Sequence, residues 1–233
     1  MENISEIKEK IFFVKGSRSN IFLVSDEDLV LIDTGMPGDY KIILDAIKQI
    51  GRSPNEISHI LITHAHMDHI GSLAKMKAET GAKIVAAQTE TDFIEGRKKM
   101  WTMGRTGIGG KIFKMIMFFM ENLVWNYEPT KVDMPCEGGE LIDCCGGIEV
   151  ISTPGHSRGS LSYYFKSKKA IFVGDSLSTM PNLRLPLKAG CEFYEKALES
   201  VKEISRFPAE MCFVGHGNSV TENAANQIKA LLE

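Results

Sequence analysis

Three histidines and an aspartate crowd into the stretch "THAHMDH", where His64, His66, Asp68 and His69 fall within six positions. The chain has only six histidines, so half of them stand in this one turn. Imidazole nitrogens and carboxylate oxygens together are donors for zinc, iron and manganese. The cluster follows the apolar run "HILIT", so it lies just past a strand. Side chains two apart in an extended or tightly turned segment can converge on one point, whereas on a helix they diverge. His64 and His66 could therefore share one ion. Asp68 and His69 open the following helix, point elsewhere, and could serve a second. The free N–H groups and positive dipole end of a helix start also suit a carboxylate at Asp68.

A metal ion takes three or four protein groups, so more donors are needed. His156 follows "TPG", Asp175 follows "FVG", and His216 follows a second "FVG". Each ends an apolar β run, where ligands gather at one edge of an α/β sheet system. His59 precedes "ILIT", fits no ligand pattern and reads as an ordinary strand-end residue.

The elements that must place these groups are legible from hydrophobic pattern. "IFFVKG", "NIFLVS" and "DLVLIDTG" read as strands, the last ending in a turn at Asp33-Thr34-Gly35. Apolar residues at Ile42, Ile43, Ala46, Ile47 and Ile50 predict a helix over 38–50. "HILIT" (59–63) is a buried-type strand, "DHIGSLAKMKAETG" a helix closed by Gly81, and "AKIVAA" another strand. In the last hundred residues, "GIEVISTPG", "SLSYYF", "KAIFVGD" and "MCFVGHG" read as strands. A helix is predicted over 191–206 with Phe193, Ala197, Val201 and Ile204 on one side, and "SVTENAANQIKALLE" as a closing amphipathic helix. The pattern is two β-then-α halves with a segment from about 90 to 130 between them, and no linker divides them.

Composition narrows the function. Apolar residues make up 43% of the 233, enough for a core and against disorder. A formal net charge of −3 leaves no basic surplus for a phosphate backbone, so nucleic acid is not expected as a partner. No run approaches the roughly 18 apolar residues of a membrane span. The charged start "MENISEIKEKIFF" has no apolar signal region. The five cysteines form no CxxC pair, and adjacent Cys144 and Cys145 rarely bond to each other. Reduced thiols in a cytoplasmic protein are the expectation.

With the motifs in this order, the sequence resembles the metallo-β-lactamase fold superfamily. The matching pieces are "LIDTG" with Asp33, "THAHMDH", "PGHS" with His156, "GDS" with Asp175 and "GHG" with His216, spanning about residues 11 to 220. The resemblance implies an α/β fold, a four-layer αββα sandwich, as one domain over 1–233 with a helical insertion at about 90–130. It implies a dinuclear site at the sheet edge. His64, His66 and His156 would bind one ion, Asp68, His69 and His216 the other, and Asp175 would bridge them. Asp33 would hold a ligand in place by hydrogen bonds. Two divalent ions, zinc first with iron or manganese as alternatives, would share a hydroxide nucleophile. Asp68 would also be catalytic, orienting the hydroxide or passing its proton to the leaving group.

The bridging Asp175 places the chain with glyoxalase II-type hydrolases and apart from antibiotic-hydrolysing enzymes, which lack it. The chain runs only 17 residues past His216, leaving no room for the helical domain that holds glutathione in glyoxalase II. A shorter glyoxalase-like enzyme, or an esterase or thioesterase acting on another acyl group, is the expectation, with a small-molecule ester or thioester as substrate. Two alternatives stand beside it. A persulfide dioxygenase-like enzyme would hold one iron at His64, His156 and Asp175, and a sensor would bind metal without turnover.

Residues 96–128 are rich in Met and aromatic side chains, with Ile112, Met115, Ile116, Phe119, Met120 and Leu123 at helical spacing. The segment reads as a helix buried on the sandwich, as a pocket wall in which Met117 and Phe118 meet an apolar acyl group, or as a homodimer or membrane-surface contact. Arg97-Lys98-Lys99 reads as a solvated face.

Overall fold

The structure is a computed structural model that describes residues 4–99, 115 and 127–233. Most of the segment proposed as a helical insertion, including Met117 and Phe118, lies outside the described residues.

The first half builds a seven-stranded sheet in sequence order: β1 (Ile4–Lys8), β2 (Ile11–Lys15), β3 (Asn20–Ser25), β4 (Leu29–Ile32), β5 (Ile57–Leu61), β6 (Lys83–Ala87) and β7 (Met134–Cys136). β1 to β4 pair antiparallel through short turns, and β4 to β7 run parallel. The parallel strands need crossovers, which α1 (Tyr40–Gln49) and the α2–α3 pair (Met67–Ile70, Leu73–Thr80) supply. The second sheet comprises β8 (Leu141–Ile142), β9 (Ile148–Ser152), β10 (Leu161–Phe165), β11 (Ala170–Gly174) and β14 (Met211–Val214), in the order β14-β11-β10-β9-β8. β11 and β14 are parallel, joined through the hairpin β12 (Ser178–Thr179) and β13 (Leu183–Arg184) and helix α5 (Tyr194–Ile204). A short α4 (Thr91–Ile94) follows β6, and α6 (Ala224–Ala230) closes the order.

Three apolar layers hold this together. Ile43, Ala46 and Ile47 of α1 and Leu73 and Met76 of α3 pack on the outer face of the first sheet. Leu61, Val85, Val150 and Tyr163 lie between the sheets, with Phe22, Phe172 and Phe213. Val201 and Ile204 of α5 and Ile228 of α6 cover the outer face of the second sheet. The architecture is the expected αββα sandwich. β4 reads "LVLI" without alternation because both of its faces are buried.

Two sequence expectations need correction. The helix over 68–81 is broken at Gly71-Ser72, where Gly71 N donates to Gly35 O and Ser72 Oγ donates to Met36 O. A side chain at 71 would collide with Pro37, so tertiary contact ends the helix. Phe193 is not on the buried helix face. It precedes α5 and is 44% exposed, with Lys196 over its ring. The charged N-terminal stretch forms β1, an edge strand.

Candidate metal centre

The parallel strands β4, β5, β11 and β14 all point their C-terminal ends to one place. Asp33 follows β4, His64 follows β5, Asp175 follows β11 and His216 follows β14. Asp33 adopts φ of 56°, a left-handed conformation that costs a non-glycine residue on the order of 1 kcal/mol. Its carboxylate, 2% exposed, meets three donors there. Oδ1 accepts from Thr63 N at 2.8 Å, and Oδ2 accepts from Thr63 Oγ1 and His69 Nδ1, each at 2.8 Å.

These bonds set the tautomers. Thr63 spends its only hydroxyl proton on Asp33, so at 3.1 Å its oxygen accepts from His64 Nδ1–H. His64 is left with its lone pair on Nε2. His69 likewise gives its Nδ1 proton to Asp33, which turns Nε2 toward the cluster.

The expected triads come together. Donor atoms of His64, His66 and His156 lie within 4.8 Å of one another, and so do those of Asp68, His69 and His216. His66 Nδ1 stands 3.0 Å from both His64 Nε2 and His156 Nε2. Asp68 Oδ2 is 3.2 Å from His216 Nε2 and 3.8 Å from His69 Nε2. Asp175 sits between the sets: Oδ2 is 3.4 Å from His156 Nε2 and 3.5 Å from His216 Nε2, while Oδ1 is 3.7 Å from His69 Nε2.

Electrostatics divide the cluster. Burial, then the neighbouring imidazoles, hold His64 well below the usual histidine value. Burial pulls His156 down to about 4, against the field of Asp175. Burial also disfavours the cation at His69, but Asp33, Asp68 and Asp175 outweigh it and raise that pKa to about 10. The hydrogen bond with Asp68 raises His216. Burial opposes the charge on Asp68, yet His69 and His216 keep it far below the carboxylate range. His64 and His156 therefore offer neutral nitrogen lone pairs, while the carboxylates of the other half hold positive charge.

A cation fits this arrangement. His69 Nε2 and Asp175 Oδ1 are buried polar atoms without a hydrogen-bond partner, facing each other across the 3.7 Å gap. His66 Nδ1 has two imidazole nitrogens at 3.0 Å and can satisfy at most one with a proton. Gly215 leaves the space open, since a side chain there would strike Asp175 and His69.

Other groups brace the centre without having stood out in the sequence. Glu90 is 1% exposed. Its Oε2 accepts from Ala65 N at 2.5 Å and its Oε1 from Gly159 N at 3.2 Å. It thereby ties the loop carrying His64 and His66 to the loop carrying His156. Its one sequence signal is a polar residue soon after the apolar strand "KIVAA", the pattern that marked the other site residues. Asn20 Nδ2 donates to Val214 O and Gly217 O, each at 2.8 Å, and frames His216. Ser19 Oγ donates to Asp68 O. Replacing Glu90 by Gln is expected to lower metal affinity about 10- to 100-fold, because the amide turns an N–H toward one backbone donor. Competition with a chromogenic chelator measures it, and unchanged affinity would refute the bracing role.

A cavity of about 160 Å³ adjoins His156, Asp175 and His216. Leu177, Met180 and Leu187 supply its apolar wall, and Arg184 its cation. Arg184 Nε donates to Ser178 Oγ at 3.0 Å.

Comparison with known proteins agrees with this geometry. The family model described as the metallo-beta-lactamase superfamily matches residues 14–216. Protein YobT of Bacillus subtilis (strain 168) is 30% identical over 211 residues, 85% of this chain and 82% of its own. The probable metallo-hydrolase YqgX of the same organism is 32% identical over 157 residues, 67% of this chain and 64% of its own. A hydroxyacylglutathione hydrolase of Hyphomonas neptunium is 28% identical over 156 residues, 65% of this chain but only 44% of its own. Among solved structures, a beta-lactamase from Chitinophaga pinensis superposes with a TM-score of 0.72 at 19% identity, covering 99% of this chain and 89% of its own. At that identity the likeness speaks for the fold alone. Motif order, sandwich and family match agree, and the chain belongs to the metallo-beta-lactamase superfamily as a hydrolase-like member.

Proposed function

We propose that this protein hydrolyses a small ester or thioester, with two divalent ions, zinc foremost, held by the two triads and Asp175. The observation that carries this is the convergence of seven donors around buried, unpartnered His69 Nε2 and Asp175 Oδ1. Such ions, when bound, supply Lewis acidity and lower the pKa of water toward neutrality. The chain's own residues do the rest. Asp33 and Thr63 fix the imidazole orientations. Asp68, with a side chain 26% exposed, stays ionised beside His69 and His216 and orients entering water. Leu177, Met180 and Leu187 receive a short apolar acyl group, and Arg184 pairs with an anionic group on the substrate. The 28% identity to a hydroxyacylglutathione hydrolase supports a thioester.

The test is a panel of thioesters, esters, a lactone, a phosphodiester and a persulfide, each acyl donor offered with and without a carboxylate. Metal is counted by mass spectrometry in parallel. Two ions per chain, hydrolysis abolished by chelator and restored by zinc, and a preference for the carboxylate-bearing member are expected. Oxygen uptake with the persulfide and a single iron would overturn the reading in favour of a dioxygenase. Bound metal without turnover on any member would overturn it in favour of a sensor.

A further inference from the structure

β4 and β5 run toward the metal centre from the opposite end of the sandwich. At that far end they begin beside a second cluster of metal-binding side chains. Asp28 precedes β4, His59 is the middle residue of β5 rather than its end, and Cys144 and Cys145 form the turn between β8 and β9. The Asp28 carboxylate and the two sulfurs lie within 4.8 Å of one another. His59 stands outside that group of three but is close enough to interact with the Cys144 thiol. The cysteines are 6% and 4% exposed, packed into the layer between the sheets. Among the described residues no lysine or arginine pairs with Asp28, the nearby Lys168 being engaged with Asp26.

The imidazole is oriented in advance. Ser58 Oγ stands 3.0 Å from His59 Nδ1 and holds the ring by that nitrogen. With Nδ1 engaged, Nε2 is the nitrogen left for an ion, as in metal-ligating histidines that hydrogen-bond through the other nitrogen. The turn is pinned as well: Gly147 N donates to Cys144 O at 2.9 Å and Ser167 Oγ to Cys145 O at 2.8 Å. Cys145 is held at φ of 49°, in the left-handed region.

We propose that this cluster binds one thiophilic divalent cation of the zinc class through Cys144, Cys145 and Asp28, which already stand together, with the neighbouring His59 drawn in as the fourth ligand. Two sulfurs, one nitrogen and one oxygen make a four-coordinate set, and thiolates select against magnesium and calcium. Each thiol releases its proton to water as the ion binds. Asp28 and His59 belong to the first sheet and the cysteines to the second, so the ion clasps the two sheets at the end away from the reaction.

Cadmium titrated into the reduced full-length chain tests this, followed by the ultraviolet thiolate-to-cadmium absorption. The His/Asp centre has no cysteine and adds nothing to that band. A band of the size expected for one cadmium on two thiolates is expected, saturating by about three equivalents because the His/Asp centre takes up cadmium without absorbing there, and abolished in Cys144→Ser/Cys145→Ser. Ser58→Ala is expected to weaken cadmium about tenfold by releasing the imidazole. The band should survive in Cys136→Ser, Cys191→Ser and Cys212→Ser, which decides the assignment even if the double variant does not fold. No band, a band lost in one of those three, or cadmium affinity unchanged by Ser58→Ala would each overturn the proposal.

Discussion

An Asp175→Ala chain is expected to keep its fold, bind one ion or none in place of two, and lose hydrolysis by at least about a thousandfold. The reason is position. Asp175 Oδ2 lies 3.4 Å from a nitrogen of one triad and 3.5 Å from a nitrogen of the other. Losing the carboxylate removes the one negative group between two clusters that would otherwise hold two divalent charges near each other. The fold should survive because Asp175 Oδ1 accepts no hydrogen bond, so truncation strands no donor there. Mass-spectrometric metal counting and thermal unfolding of the metal-free chain separate the two effects. Two ions with full activity in the variant would remove Asp175 from the bridging role.

Asp33→Asn is expected to cost both stability and metal. Three donors converge on the carboxylate: Thr63 N, Thr63 Oγ1 and His69 Nδ1. An amide replaces one accepting oxygen with an N–H₂ group, so at least one buried donor meets another donor. Each stranded group costs about 1–3 kcal/mol. In a domain of this size that lowers Tm by roughly 5–10 °C. The His69 ring also loses the bond that turns Nε2 inward, so metal affinity should fall about 10- to 100-fold. Thr63→Val removes the hydroxyl bond but leaves the carboxylate, and should fall between wild type and Asp33→Asn in both measurements. Wild-type Tm and metal affinity in Asp33→Asn would contradict this account.

The donors were legible in the sequence because each is a polar residue ending an apolar run, and the sandwich brings the ends of such runs together. "FVGDS" and "FVGHG" are the same local construction on neighbouring parallel strands β11 and β14. Glu90 carries only a weak form of that signal, since "QTE" reads like any solvated turn, and the hydrogen bonds from Ala65 N and Gly159 N show its work. The helix break at Gly71-Ser72 was hidden for a similar reason. Both residues tolerate a helix locally, and the interruption comes from Pro37 and Met36, distant in sequence. His59 looked like an ordinary strand end because its sulfur neighbours lie about eighty-five residues further along the chain. Met117 and Phe118, expected against an acyl group, lie outside the described residues, and the apolar wall by the centre is formed by Leu177, Met180 and Leu187.

Each triad draws donors from both sheets, and this sets a timetable for synthesis. A ribosome delivers His64, His66, Asp68 and His69 early, yet the first triad waits for His156 and the second for His216. Neither can be complete on a nascent first half. The second is complete only after β14, the strand leading to His216, has been made. On the proposed assignment, the second ion therefore waits for His216 and for the docking of the two sheets.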